Sequence, residues 1–284
     1  MSRINYETLL IGLILTLFLS GCQQASSPDV SNPEAGHPPL PEIKLATAEL
    51  NWIGNQIFRN ECSARKACLV HWNEGEAFPS LGIGHFIWYP KDREGPFVES
   101  FPAMIEYLSG RGAVMPDWLA MLNPFDAPWA SRDSFREAAD TGPVRELQHF
   151  LYATRGDQAG FLVERAREAL ERVVNAVPEP DREALSRQLE ALVRTPGGVY
   201  AVIDYVNFKG EGLSVTERYN GQGWGLLQVL QTMDVSDGIP ALLAFRESAA
   251  RVLTRRAENA GKPIEKERWL PGWLNRLDTY HEPG

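Results

Sequence analysis

From residue 45 onward, apolar positions recur at helical spacing. Leu45, Leu50, Ile53, Ile57 and Phe58 fall every three to five residues, which predicts an amphipathic helix over 45–61. The same spacing predicts shorter helical pieces over 101–108 and 118–122 and full helices over 144–152, 161–177, 199–208 and 238–259. The helix over 161–177 carries Glu164, Arg165, Glu168 and Arg172 on its polar face, a pattern of solvated i,i+4 pairs. Pro178-Glu-Pro-Asp181 is a start signal for another helix, to residue 194, and Pro196-Gly-Gly198 breaks it. Between the first helix and residue 90 the period changes. Residues 69–72 and 80–89 are rich in β-branched and aromatic types and predict strands. Asn73-Glu-Gly-Glu-Ala77 is the turn between them, and Gly82-Ile-Gly-His85 is a hairpin signal. The fold class expected is mainly α with a small β-hairpin (α+β), in one domain over 45–284. Trp269 and Trp273 are expected in its core.

The first 44 residues have a different pattern. Arg3 precedes an apolar run over 9–19, too short for a permanent span and suited to a signal peptide. It ends in Leu19-Ser20-Gly21-Cys22, which looks like a bacterial lipobox. This predicts a signal peptide over 1–21, removed so that Cys22 becomes the lipidated first residue, carrying palmitate. Residues 22–44 are polar and proline-rich and read as a disordered tether. Gln23 follows the lipidated position where an Asp would direct retention in the inner membrane. The expected location is therefore the bacterial envelope, anchored by lipid and facing the periplasm, with the outer membrane favoured over the inner.

Composition narrows the partners. With 28 Lys and Arg against 37 Asp and Glu, the net charge is -9, which argues against nucleic acid. It also argues against tight electrostatic binding to an anionic wall polymer, so recognition would rest on aromatic and hydrogen-bonding groups in a groove. With Cys22 lipidated, Cys62 and Cys68 remain, six apart in an exported chain, and a disulfide between them is expected. No spacing among His71, His85 and Glu76 makes a metal motif, and neither a metal nor a cofactor is expected.

Glu61 stands at the end of the first helix. There it opposes the negative end of the helix dipole, which is expected to raise its pKa and suit it to general-acid work. Glu61 followed by Ser80-Leu-Gly-Ile-Gly-His85 resembles the active-site block of phage-type lysozymes. In that family a helix ends in the catalytic Glu, and a β-hairpin carrying an Asp and a Thr runs into Thr-Ile-Gly-Ile-Gly-His. The resemblance makes Glu61 the acid, puts Glu74 at the Asp position and Ser80 at the Thr position, and makes the loop between Cys62 and Cys68 an insertion. Glu76 is an alternative to Glu74. The similarity implies a lysozyme-like two-lobed fold, a muramidase-like hydrolase, and peptidoglycan glycan strands as substrate.

A second block, Gly225-Leu-Leu-Gln228, is similar to the Gly-Leu-Met-Gln signature of lytic transglycosylases, without that family's Glu-Ser pair upstream. It makes Asn220, Gln222 and Gln228 candidates for hydrogen bonds to sugar and Trp224 a candidate for stacking, with His85 beside them as a binding residue. Two alternatives to the hydrolase stand at this point: a lytic transglycosylase, and a non-catalytic wall-binding or scaffold lipoprotein that keeps the fold.

Overall fold

Helix α1 (Thr47–Cys62) is the element around which the rest packs. Its buried face is Leu50, Ile53, Ile57 and Phe58, the spacing read from the sequence. In this computed structural model, residues 40, 42–234 and 238–284 are described. The signal segment, Cys22, Gln23 and almost all of the tether lie outside the described residues. Ser63, in the left-handed region with φ 48°, ends α1. A short 3-10 turn (Lys66–Leu69) leads into a three-stranded antiparallel sheet of β1 (Val70–His71), β2 (Ser80–Leu81) and β3 (Phe86–Ile87), in that spatial order. Val70 pairs with Leu81 and Leu81 with Phe86, so these side chains share one buried face.

The helices α2 (Phe101–Gly110), α3 (Asp117–Ala120), α4 (Arg132–Ala138) and α5 (Gly142–Ala153) cover the sheet and its flank. Trp88, fully buried after β3, meets Phe101, Phe125 and Trp129 at centroid distances of 4.7, 5.3 and 6.1 Å. Helix α6 (Arg155–Asn175) crosses α1 at glycine. A Cβ on Gly54 would lie 2.3 Å from the Arg155 carbonyl oxygen, and one on Gly156 would lie 2.1 Å from Asn51 Oδ1. No larger residue fits where these two helices touch.

The remaining helices are α7 (Glu179–Val193), α8 (Pro196–Lys209), α9 (Leu226–Thr232), α10 (Ala241–Asn259) and α11 (Leu270–Leu277), the last entered through a π turn (Glu265–Trp269). Thr195 caps α8 by accepting from the Gly198 amide, so Pro196-Gly-Gly198 both ends α7 and opens α8. The sheet and the helices share one continuous apolar core. Mainly helical with a small antiparallel sheet is the architecture observed. Trp269 departs from expectation: it is 44% exposed, whereas Trp273 is buried. Trp269 ends the π turn, outside the helical stripe of α11 that turns Trp273 and Leu277 inward.

Candidate functional site

Glu61 lies in the last turn of α1, half-buried, with both carboxylate oxygens engaged. Oε2 faces Nε2 of His85 at 3.2 Å, and Oε1 accepts from Nη2 of Arg276 on α11. The Arg276 fork also binds Asp204 on α8, Nε to Oδ2 at 2.8 Å and Nη2 to Oδ1 at 2.9 Å. Asp204 is fully buried and accepts a further bond of 2.7 Å from the Tyr280 hydroxyl. The guanidinium lies 4.4 Å over the Phe208 ring. One arginine thus joins two carboxylates from two helices, a geometry that guanidinium supports and ammonium does not. Asn60 on α1 adds bonds to α8 and to the turn after α11, donating from Nδ2 to the Tyr200 hydroxyl at 2.6 Å and to Thr279 Oγ1 at 3.2 Å. The Cys62–Cys68 disulfide closes the loop that follows, with Cα atoms 5.4 Å apart.

His85 reaches Glu61 because the turn between β2 and β3 is pinned from below. Gln158 on α6, fully buried, accepts from the Ile83 amide at 3.0 Å and donates to the Leu151 carbonyl at 2.7 Å and to Thr154 Oγ1 at 3.0 Å. Gly82 has φ 69°, and a Cβ there would stand 2.5 Å from Gln158 Oε1, so the close approach requires glycine. His85 itself takes φ 49°, the left-handed value that turns the chain back into β3.

These contacts decide the charge of Glu61. Burial pushes its pKa up, but the hydrogen bond from His85 and the charge and hydrogen bond of Arg276 outweigh burial and hold it at about 2, below the ordinary 4.5. The expectation of a pKa raised by the helix dipole is corrected: at neutral pH Glu61 is a carboxylate, because two full partners at hydrogen-bond distance exceed a partial charge at a helix end. Burial opposes the charge on Arg276, while the bonds from Asp204 and Glu61 hold it firmly protonated.

Of the two candidates for the second carboxylate, Glu74 and Glu76, the one bonded to Ser80 is Glu76. Glu74 is exposed in the turn after β1. The buried Ser80 hydroxyl instead donates to Glu76 Oε2 at 3.5 Å, and Asn73 Nδ2 donates to the same oxygen at 3.1 Å. The physical reason is the turn: the Trp72 indole N–H bonds the Glu76 carbonyl at 2.9 Å and folds Glu76, not Glu74, back over the strand.

The residues from Asn220 to Gln228 bond largely within the protein. Gln228 Oε1 accepts from the Gly225 amide at 2.9 Å, capping α9, and its Nε2 donates to the Gly212 carbonyl at 3.0 Å. Both ends of that amide are therefore spent inside the protein. Trp224 is buried between the Arg256 guanidinium, 4.0 Å from its ring, and Tyr219, at a centroid distance of 4.8 Å. Asn220 and Gln222 are exposed and both bond Asn259 at the end of α10, at 3.2 and 3.4 Å. None of these four bonds Glu61 or its partners.

Beside Glu61 opens a cleft of about 330 Å³, lined by Arg59, Asn60, Phe208, Trp273, Asn275 and Arg276, with Thr279 at its edge. Lys209 Nζ lies 3.5 Å from the Trp273 ring. Burial, with Arg256 and Arg276 adding, lowers its pKa to about 7 against the opposing pull of Glu265. Among the described residues no group of three His, Cys, Asp or Glu is arranged to hold a metal ion. Arg276, Asp204 and Tyr280 carry no local sequence signal, since Arg276 meets Asp204 across 72 residues and Glu61 across 215. No family model, no curated protein and no solved structure matches this chain.

Proposed function

We propose that this chain is a peptidoglycan-cleaving glycosidase with a lysozyme-like fold, held in a bacterial envelope by a lipid on Cys22. The observation that carries the reading is the pairing of Glu61, at the C-terminal end of α1, with His85, from the Gly82–His85 turn of the small sheet, beside an open cleft with aromatic walls. Acid catalysis at a glycosidic bond needs a carboxyl group sheltered from water and able to hold a proton. In the free protein Glu61 lacks the proton. Burial is nonetheless the largest single influence on it and acts upward. A saccharide that draws Arg276 away removes part of what holds the pKa of Glu61 down, leaving burial opposed by His85, and so brings Glu61 closer to holding the proton that the leaving oxygen needs. Glu76, held by Ser80 and Asn73, is the second carboxylate, positioned to orient water or to stabilise oxocarbenium-like charge.

One observation favours a second reading. The Asp204–Arg276–Glu61 chain is saturated, and a buried ion-pair network of this kind also suits a wall-binding scaffold without chemistry. Digestion of purified peptidoglycan by the detergent-solubilised full chain separates the two, with Glu61→Gln alongside and products read by mass. Reducing-end muropeptides made by the wild type and absent from the variant are the expected outcome. Anhydro products would move the assignment to a lytic transglycosylase, in which a single acid/base suffices. No product from the folded wild type leaves the scaffold.

A further inference from the structure

We infer that the cleft beside Glu61 is a subsite for a carboxylate carried by the glycan, with Arg59 as its ion-pair partner; the identity of the glycan rests on the glycosidase reading, the carboxylate does not. The first ground is charge. In a chain of net charge -9, this cleft is lined by two guanidinium groups and no carboxylate. The larger cleft elsewhere, about 640 Å³, is lined by Asp92, Glu94, Glu99 and Asp126 with Arg93 as its one cation. The positive lining is therefore local and does not follow from composition.

The second ground is valence. Arg276 is already shared between Asp204 and Glu61. Arg59 is exposed, and its one bond is a long one of 3.4 Å to the neutral Gln56 Oε1. Among the described residues no carboxylate pairs with it. A planar fork with five donors and no anion, at the mouth of a cleft, is matched by a carboxylate. Asn275, exposed on the same wall with its amide free of partners among the described residues, supplies further donors. Phe208, partly exposed, with the edge of Trp273 gives apolar lining against which a sugar ring or an alkyl group rests. The occupant thus has an apolar body and an acidic tip.

The third ground is position. Only Asn60 separates Arg59 from Glu61 in the chain, and Arg276 lines the cleft while bonding Glu61. A carboxylate bound here competes with Glu61 for the Arg276 guanidinium. Binding of an acidic glycan would then weaken one of the two contacts on Glu61, so substrate recognition is coupled to the acid.

Two sources of carboxylate occur on such a glycan: the lactyl ether of N-acetylmuramic acid, and the free carboxylates of its peptide stem. Binding to the full-length protein in detergent is measured by ligand-observed NMR. The probes are N-acetylmuramic acid, its neutral methyl ester, and N-acetylmuramyl-L-alanyl-D-glutamate, whose lactyl group is an amide. The expected result is a preference of about tenfold for an acidic probe over the ester, the size of one charge-assisted contact. Arg59→Gln abolishes the preference and Arg59→Lys keeps part of it. Preference for the free acid assigns the lactyl group, and preference confined to the peptide-bearing probe assigns the stem. Equal binding of all three probes, binding of none of them, or a preference that survives Arg59→Gln overturns the subsite. If the preference holds while peptidoglycan is not cut, the glycosidase reading fails and the carboxylate site stands. If peptidoglycan is cut without any preference, only the subsite fails.

Discussion

Glu61 holds the most consequential charge in the molecule, and its state is testable through stability. Its folded pKa of about 2 lies below the ordinary 4.5. A depressed carboxylate pKa stabilises the fold above the ordinary value, and the stabilisation is lost as pH falls from 4.5 through 2. The full shift corresponds to about 3 kcal/mol, of which about 2 kcal/mol is gone by pH 3. The other carboxylates titrate in the same range, so the informative quantity is a difference. Urea unfolding of wild type and Glu61→Gln at pH 6 and pH 3 should show the variant losing about 2 kcal/mol less across that interval. Parallel losses would mean that Arg276 and His85 do not hold the charge as described. The position of Glu61 was legible in the sequence from the apolar stripe that ends at Phe58 and from the Gly-Ile-Gly-His turn downstream. Its protonation state was not. That depends on Arg276 and Asp204, which chain distance hides from any local pattern. Trp224 and Gln228 show the opposite ambiguity: residue types that bind sugars well also cap helices and fill cores, and here Gln228 caps α9 while Trp224 is buried.

At the scale of elements, α6 carries the turn that presents His85. A helix was expected over 161–177, where apolar residues recur. The observed α6 starts at Arg155, six residues earlier. The extra turn has no hydrophobic period because tertiary contacts specify it. Gly156 packs on Asn51, Arg155 binds Asn55 Oδ1 with Nε and Nη2 at 3.0 and 2.9 Å, and Gln158 bonds the Ile83 amide. A glutamine at that place in a sequence is indistinguishable from a surface residue. Replacing Gln158 by Leu would leave the buried Ile83 N–H and Leu151 C=O without this partner. Two such groups cost about 2–4 kcal/mol together. For a domain of this size that lowers the thermal midpoint by roughly 4–16 °C. Peptidoglycan cleavage should fall further than stability alone requires, because the Gly82–His85 turn loses the bond that sets His85 against Glu61. Calorimetry of Gln158→Leu, with activity assayed well below its midpoint, checks both. An unchanged midpoint would show that the turn holds itself.

For the whole molecule, the proposed address and the folded body are legible to different degrees. The body's class followed from periodicity, since helices with a buried stripe and a short β-rich interval leave few architectures. The address is chemical: a small-residue pair before Cys22 at the end of an apolar run, followed by a proline-rich polar stretch. Among the described residues no helix is long and apolar enough to cross a membrane. For the proposed lipoprotein, membrane association is expected to rest on the lipid at Cys22. Acyl chains contribute about 0.8 kcal/mol per buried CH₂, and more than one chain is needed for stable anchoring. A protein of net charge -9 is, taken as a whole, repelled by anionic headgroups. Cys22→Ser should therefore move the chain from the membrane to the soluble fraction of a producing bacterium and abolish its labelling by radioactive palmitate. Once purified, the same variant should digest peptidoglycan as the wild type does, since Glu61, His85 and Arg276 belong to the folded body alone. Retention of Cys22→Ser in washed membranes would mean that the uncleaved apolar run over 9–19 anchors the chain, and would replace the lipoprotein by a signal-anchored protein.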